Sequence, residues 1–180
     1  MDTVPRLFME SVCLCLLDRP SLRESTKIPS VWGKICTATS KKIHTLRVVL
    51  DGSAEKIYAA AEPVRAYNTN AVFFSDLPLA VPLDSVDPKY ITNFRIETNT
   101  RFIVPSSTWK EITLDNLQRL VHFIRPRVVH FIRPVRNERP PLRYFESINT
   151  LILYRQSNWI NGKLLAMQLP CDVVIQDPIV

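Results

Sequence analysis

Val4-Pro5-Arg6-Leu7-Phe8-Met9-Glu10-Ser11-Val12-Cys13-Leu14-Cys15-Leu16-Leu17 is the stretch from which the architecture is read. Pro5 suits the first turn of a helix, where a missing N–H costs nothing. Phe8, Val12, Cys15 and Leu16 then recur at helical spacing, and Met9, Cys13 and Leu17 widen the apolar stripe. Asp18-Arg19-Pro20 interrupts the pattern and starts a second short helix that carries Leu22. Pro29 makes a further break, after which Val31, Trp32, Ile35 and Cys36 mark one face of a third helix. Lys41 and Lys42 suit the C-terminal end of that helix electrostatically. Three short helices in about forty residues bury too little surface to be very stable alone, so they are expected to lean on something else.

The order Val4-Pro5, an apolar helix, Leu22, then Val31-Trp32 resembles the F-box, the helical motif that docks onto a Skp-family adaptor of cullin-based ubiquitin ligases. Trp32 follows Pro5 by 27 residues, close to the spacing in that family. The opening Met1-Asp2-Thr3-Val4-Pro5-Arg6-Leu7-Phe8 is similar to the start of a large group of nematode F-box proteins with divergent C-terminal regions. The resemblance covers residues 1–45 and implies that Val4, Pro5, Phe8, Val12, Leu16, Leu22, Val31 and Trp32 contact the adaptor. The chain departs from the family pattern at Val4, which replaces Leu, at Pro29 near the start of the third helix, and at Gly33 directly after the Trp. Read from the residues alone, Phe8, Val12, Leu22 and Trp32 can also be an internal core packed on the rest of the chain.

Beyond residue 45 the period changes. Leu46, Val48 and Leu50 alternate as in a strand, Gly52 and Ser53 turn the chain, and 54–61 is rich in helix formers. Residues 72–74, 94–96 and 102–104 are further strand candidates, while Pro78, Pro82 and Pro88 reduce the stretch between them to loop or a single helical turn. A tandem octamer follows: Arg119-Leu120-Val121-His122-Phe123-Ile124-Arg125-Pro126 recurs as Arg127-Val128-Val129-His130-Phe131-Ile132-Arg133-Pro134 with one substitution. Thr113 can cap a helix whose face is Leu114, Leu117, Leu120, Val121 and Ile124, so the first copy is expected to finish a helix that Pro126 stops. The second copy, with Val128-Val129 after a proline, is expected to be a strand.

Strand centres at Val129 and Phe131, Leu151 and Leu153, and Val173 and Ile175 recur with a step of 22 residues, within the roughly 20–29 residues of leucine-rich repeats. Ile148-x-x-Leu151-x-Leu153-x-x-Gln156 fits the repeat core with Gln in the Asn place, and helices are expected at 142–148 and 159–167. Pro134 and Pro178 occupy the Asn place in the other copies, and a generic β-α-β layer accounts for the same pattern. The expected fold is therefore α+β or α/β. A three-helix F-box-like module over 1–45 precedes, over 46–180, a small leucine-rich-repeat-like layer of mostly parallel strands backed by helices. The last strand candidate, 173–176, has no capping helix after it, the pattern expected of a shortened family member.

The composition narrows the function. Of the 180 residues 46% are hydrophobic, and 23 Lys and Arg against 17 Asp and Glu give a net charge of +6. All the excess lies in 119–143, which holds seven arginines, no lysine and one acid, Glu138. Arg125, Arg127, Arg133, Arg136 and Arg139 are candidates to bind carboxylates or phosphates of a target, because a planar guanidinium donates paired hydrogen bonds. The same arginines can instead form a solvated face, or the phosphate contacts of a nucleic-acid-binding module.

Only three glycines occur, so no glycine-rich nucleotide loop can be written. Cys13, Cys15, Cys36, Cys171 and the three histidines fall at no zinc spacing, which predicts reduced, buried thiols and no metal. No nucleophile signature is present, so neither enzyme activity nor a cofactor is expected. The longest apolar run, 12–17, has six residues where a bilayer span needs about 20, and no leader pattern precedes it. These readings predict a cytoplasmic or nuclear substrate receptor, joined through a Skp-family adaptor to a cullin ligase at one end and holding a target protein at the other.

Overall fold

The computed structural model describes residues 4–16, 19–63, 80–98, 107–124 and 149–176. Three helices, α1 (Arg6–Cys15), α2 (Arg19–Thr26) and α3 (Val31–Ser40), lead into β1 (His44–Asp51) and β2 (Lys56–Pro63). Next come β3 (Ile91–Thr98), β4 (Lys110–Ile112), α4 (Leu114–Phe123), β5 (Thr150–Leu153), α5 (Asn158–Ala166) and β6 (Val173–Gln176). The strands form one six-stranded mixed sheet in the order β4-β2-β1-β3-β5-β6, so the fold is α+β. β1, β3, β5 and β6 run parallel, and β2 pairs antiparallel with both β1 and β4.

The β1–β2 hairpin begins with the Asp51 carboxylate, which accepts from the Ser53 and Ala54 amides at 2.9 and 3.2 Å and turns the chain. Glu55 completes the turn in the left-handed region at φ 52°. The helix-forming composition of 54–61 is thereby overruled, because β2 pairs with β1 from Lys56 opposite Asp51 to Pro63 opposite His44. Ala59 and Ala61 stand opposite Val48 and Leu46, and the cross-strand bonds and burial outweigh alanine's weak preference for helix.

Alternation sends Leu46, Val48 and Leu50 to one face, with Ile57, Ala59, Phe94, Ile96, Leu151 and Leu153. Both α4 and α5 cover that face, through Leu117, Val121 and Ile124 and through Ile160 and Leu164. Thr113 caps α4 as expected, accepting from the Asn116 amide at 3.2 Å, and the first octamer copy does finish this helix. On the second face Val49, Ala60, Ala80 and Trp109 form a smaller cluster. Beside it Arg47 bridges Glu62, at 3.3 Å, and Glu97, which Arg95 also meets at 3.0 Å.

Two polar clamps fix the parallel strands. At their start the Asn149 side chain accepts from the Phe94 amide at 3.0 Å and donates to the Pro170 carbonyl at 3.1 Å. Its backbone amide donates to the Asp172 carboxylate, and its carbonyl accepts from the Asp172 and Val173 amides. At the far end the Thr98 hydroxyl donates to Ser157 Oγ at 2.7 Å and accepts from the Tyr154 amide at 3.1 Å. The Asn149 clamp corrects the sequence-based step of 22: Thr150 lies opposite Val173 and Leu151 opposite Val174, an offset of 23. A slip of one residue exchanges the two faces of a strand, but Val173-Val174-Ile175 is apolar at consecutive positions and does not mark its own face, so the contacts of Asn149 with Asp172 and Val173 accompany the register that is found.

The strand candidates at 72–74 and 102–104, the second octamer copy and the helix expected at 142–148 lie outside the described residues. No described helix is long and apolar enough to cross a membrane. Replacing Asn149 by Ala strands the buried Phe94 amide and loosens the Pro170 carbonyl. Urea unfolding should therefore show a loss of about 2–4 kcal/mol.

Candidate functional site

The N-terminal helices close on a core of their own. Cys13 of α1, Leu22 of α2, Cys36 of α3 and Ile43 after α3 are buried together, with Leu14, Leu16 and Trp32 packed around them. None of these belongs to the sheet cores. Burial, followed by the contact with Cys36, pushes the Cys13 thiol up to about 12, so it stays protonated and unreactive. Cys171 is likewise pushed to about 12 by burial. The expectation that all four thiols are buried is corrected at Cys15, which is exposed, and at Cys171, which is only partly covered.

The helical phase of α1 also differs from the sequence reading. Met9 and Cys13 face inward, whereas Phe8 turns out and Cys15 is exposed. An apolar run as dense as 12–17 does not mark its own inner side; contact with α3 through Cys13 and Cys36 selects it. The same holds on α3, where Ile35 and Cys36 are buried but Val31 is outside.

The outward residues are large and apolar. Relative exposure reaches 41% at Val4, 75% at Leu7, 59% at Phe8, 46% at Ile28 and 55% at Val31. They fall in two groups: the entry and first turn of α1, and the turn that leads into α3. The second group borders a shallow groove of about 550 Å³ lined by Thr26, Ile28, Pro29, Ser30, Gly33, Lys34 and Thr37. Gly33, a departure from the resembled family, has a local reason: a Cβ there would lie 1.9 Å from the Ile28 carbonyl oxygen. The turn 27–30 therefore rests directly on the backbone of α3.

Of the eight residues singled out from sequence, Val4, Pro5, Phe8 and Val31 are exposed, and Val12, Leu16 and Trp32 are half-buried. Leu22 sits inside the trio's own core. The Pro5 carbonyl starts α1 by accepting from the Phe8 and Met9 amides at 3.0 and 3.2 Å. Sequence reasoning missed Leu7 and Ile28. Their signal was an apolar residue beside a helix-starting proline, visible once the inner side of the helix is known. Arg119 is exposed on α4, while Arg125, Arg127, Arg133, Arg136 and Arg139 lie outside the described residues.

Comparison with protein-family models, with curated proteins and with solved structures finds no match to this chain.

The geometry separates two kinds of apolar residue in the trio. Leu22→Ala should cost about 2–5 kcal/mol of stability through the cavity it opens. Phe8→Ala, at a mostly solvated position, should change it by no more than about 0.5 kcal/mol. Thermal and urea unfolding of the two variants beside the parent chain measures both.

Proposed function

We propose that this chain is a substrate receptor of a cullin-based, SCF-type ubiquitin ligase. Its helical trio acts as an F-box-like module that docks a Skp-family adaptor, and the region 46–180 holds a target protein. The observation that carries this reading is the outward placement of Phe8 and Val31 on a helical unit that already has a closed core. Exposed apolar groups of this size at the starts of two helices suit a protein partner better than water. The order of elements agrees with the Val-Pro start and the Leu22 and Trp32 positions that prompted the resemblance.

The parallel series β1, β3, β5 and β6, taken in chain order with helices on one face, is the part of the sheet that suits a degenerate leucine-rich-repeat-like layer. The antiparallel β2 and the short β4 stand outside that description. Such a receptor breaks and forms no bonds itself. It raises the effective concentration of target lysines near the ligase, and it works in the cytoplasm or nucleus where the ligase is found.

Co-expression with a Skp-family adaptor tests the proposal. The parent chain should co-purify with the adaptor, and a Phe8→Ala, Val31→Ala double variant should bind at least about tenfold more weakly, the loss of two anchors worth about 1 kcal/mol or more each. The same thermal and urea unfolding, applied to the double variant, shows whether it is folded. A parent chain that fails to hold the adaptor, or a folded double variant that holds it equally well, would overturn the reading.

A further inference from the structure

The helical trio and the sheet have separate cores, and the chain passes from one to the other through a short connection, Lys41 to Ile43, directly into β1. A junction of this kind is a pivot unless something else crosses it. One described side chain does so next to the pivot itself. Tyr90 ends the 3-10 turn Pro88–Tyr90, and the residue after it, Ile91, pairs with His44 at the start of β1. The register of β1 against β3 shifts at this point, between His44 and Thr45.

From there the Tyr90 hydroxyl reaches back across 80 residues of sequence to α1. It donates to Glu10 Oε1 at 2.6 Å and accepts from Lys42 Nζ at 3.4 Å. Tyr90 is 8% exposed, and the ammonium groups of Lys42 and Lys89 lie 5.2 and 4.8 Å from the centre of its ring. The hydroxyl, foremost, and the neighbouring cations Lys89, Lys42 and Arg6 hold the Glu10 carboxyl below its ordinary range, so it is ionised and a strong acceptor.

We propose that Tyr90 is a latch that locks the helical trio to the sheet in one orientation. Three elements meet at one hydroxyl: α1 through Glu10, the α3–β1 connection through Lys42, and the entry of β3 through Tyr90 itself. Whatever docks on the trio is thereby held at a fixed angle to whatever the sheet region carries. The latch does not depend on the identity of either partner.

Distance measurement between two spin labels on the full chain tests it. Cys15 is exposed and takes one label, while Cys13 and Cys36 are fully buried. Cys171→Ser removes the remaining partly covered thiol, and Ser53→Cys places the second label on the exposed hairpin turn. The labelled parent should give one narrow distance distribution. Tyr90→Phe, which keeps the ring and removes the hydroxyl, should broaden it at least twofold with helical content unchanged. Glu10→Ala should do the same, and the double variant should add nothing further, as two parts of one contact require. Unchanged width in both single variants would overturn the latch. Loss of helical content in Tyr90→Phe together with Glu10→Ala would also overturn it, since the contact would then stabilise the trio's fold and not its orientation.

Discussion

A helical unit of about forty residues has room for one small core, and in this chain that limit decides the rest. Cys13, Leu22, Cys36 and Ile43 fill the space where the three helices meet. Phe8, Leu7 and Val31 stand outside that core. These side chains must then face water or a partner. The exposed apolar groups thus coexist with a closed inner core.

The sheet region meets the opposite situation. Sixteen buried residues from β1, β2, β3, β4, β5, α4 and α5 share one core, including the full stack of Leu46, Val48 and Leu50 against Phe94 and Ile96. None of the trio's core residues belongs to it. Asn149 and Thr98 add direction to it by fixing where the parallel strands begin and end. On the proposed reading, the two halves divide the work of a receptor: a stable layer carries the target, and a thin helical unit offers its outer side to the adaptor.

Much of this architecture is legible in the residues. Proline punctuation marked the three N-terminal helices, Thr113 marked the start of α4, alternation marked β1, and short apolar centres marked β3, β5 and β6, the last with its faces exchanged because Leu151 pairs with Val174 and not with Val173. Two kinds of information were not local. The strand β2 has helix-forming composition and becomes a strand only through pairing with β1. The inner side of α1 is undecided in a run where almost every residue is apolar, and only contact with α3 settles it. The candidate face was therefore legible as a segment but not side chain by side chain: Leu22 belongs inside, while Leu7 and Ile28 belong outside. Tyr90 had no signal at all, because its partner Glu10 is 80 residues away.

The most direct measurement is hydroxyl-radical footprinting of the isolated chain, comparing two residues of identical intrinsic reactivity. Phe94 is completely buried in the sheet core, and Phe8 is mostly open on α1. The account predicts that Phe8 is oxidised far faster than Phe94 under native conditions and that the difference disappears in denaturant. Equal protection of the two rings in the native chain would contradict it, because the helical trio would then have sealed its outer side against its own sheet.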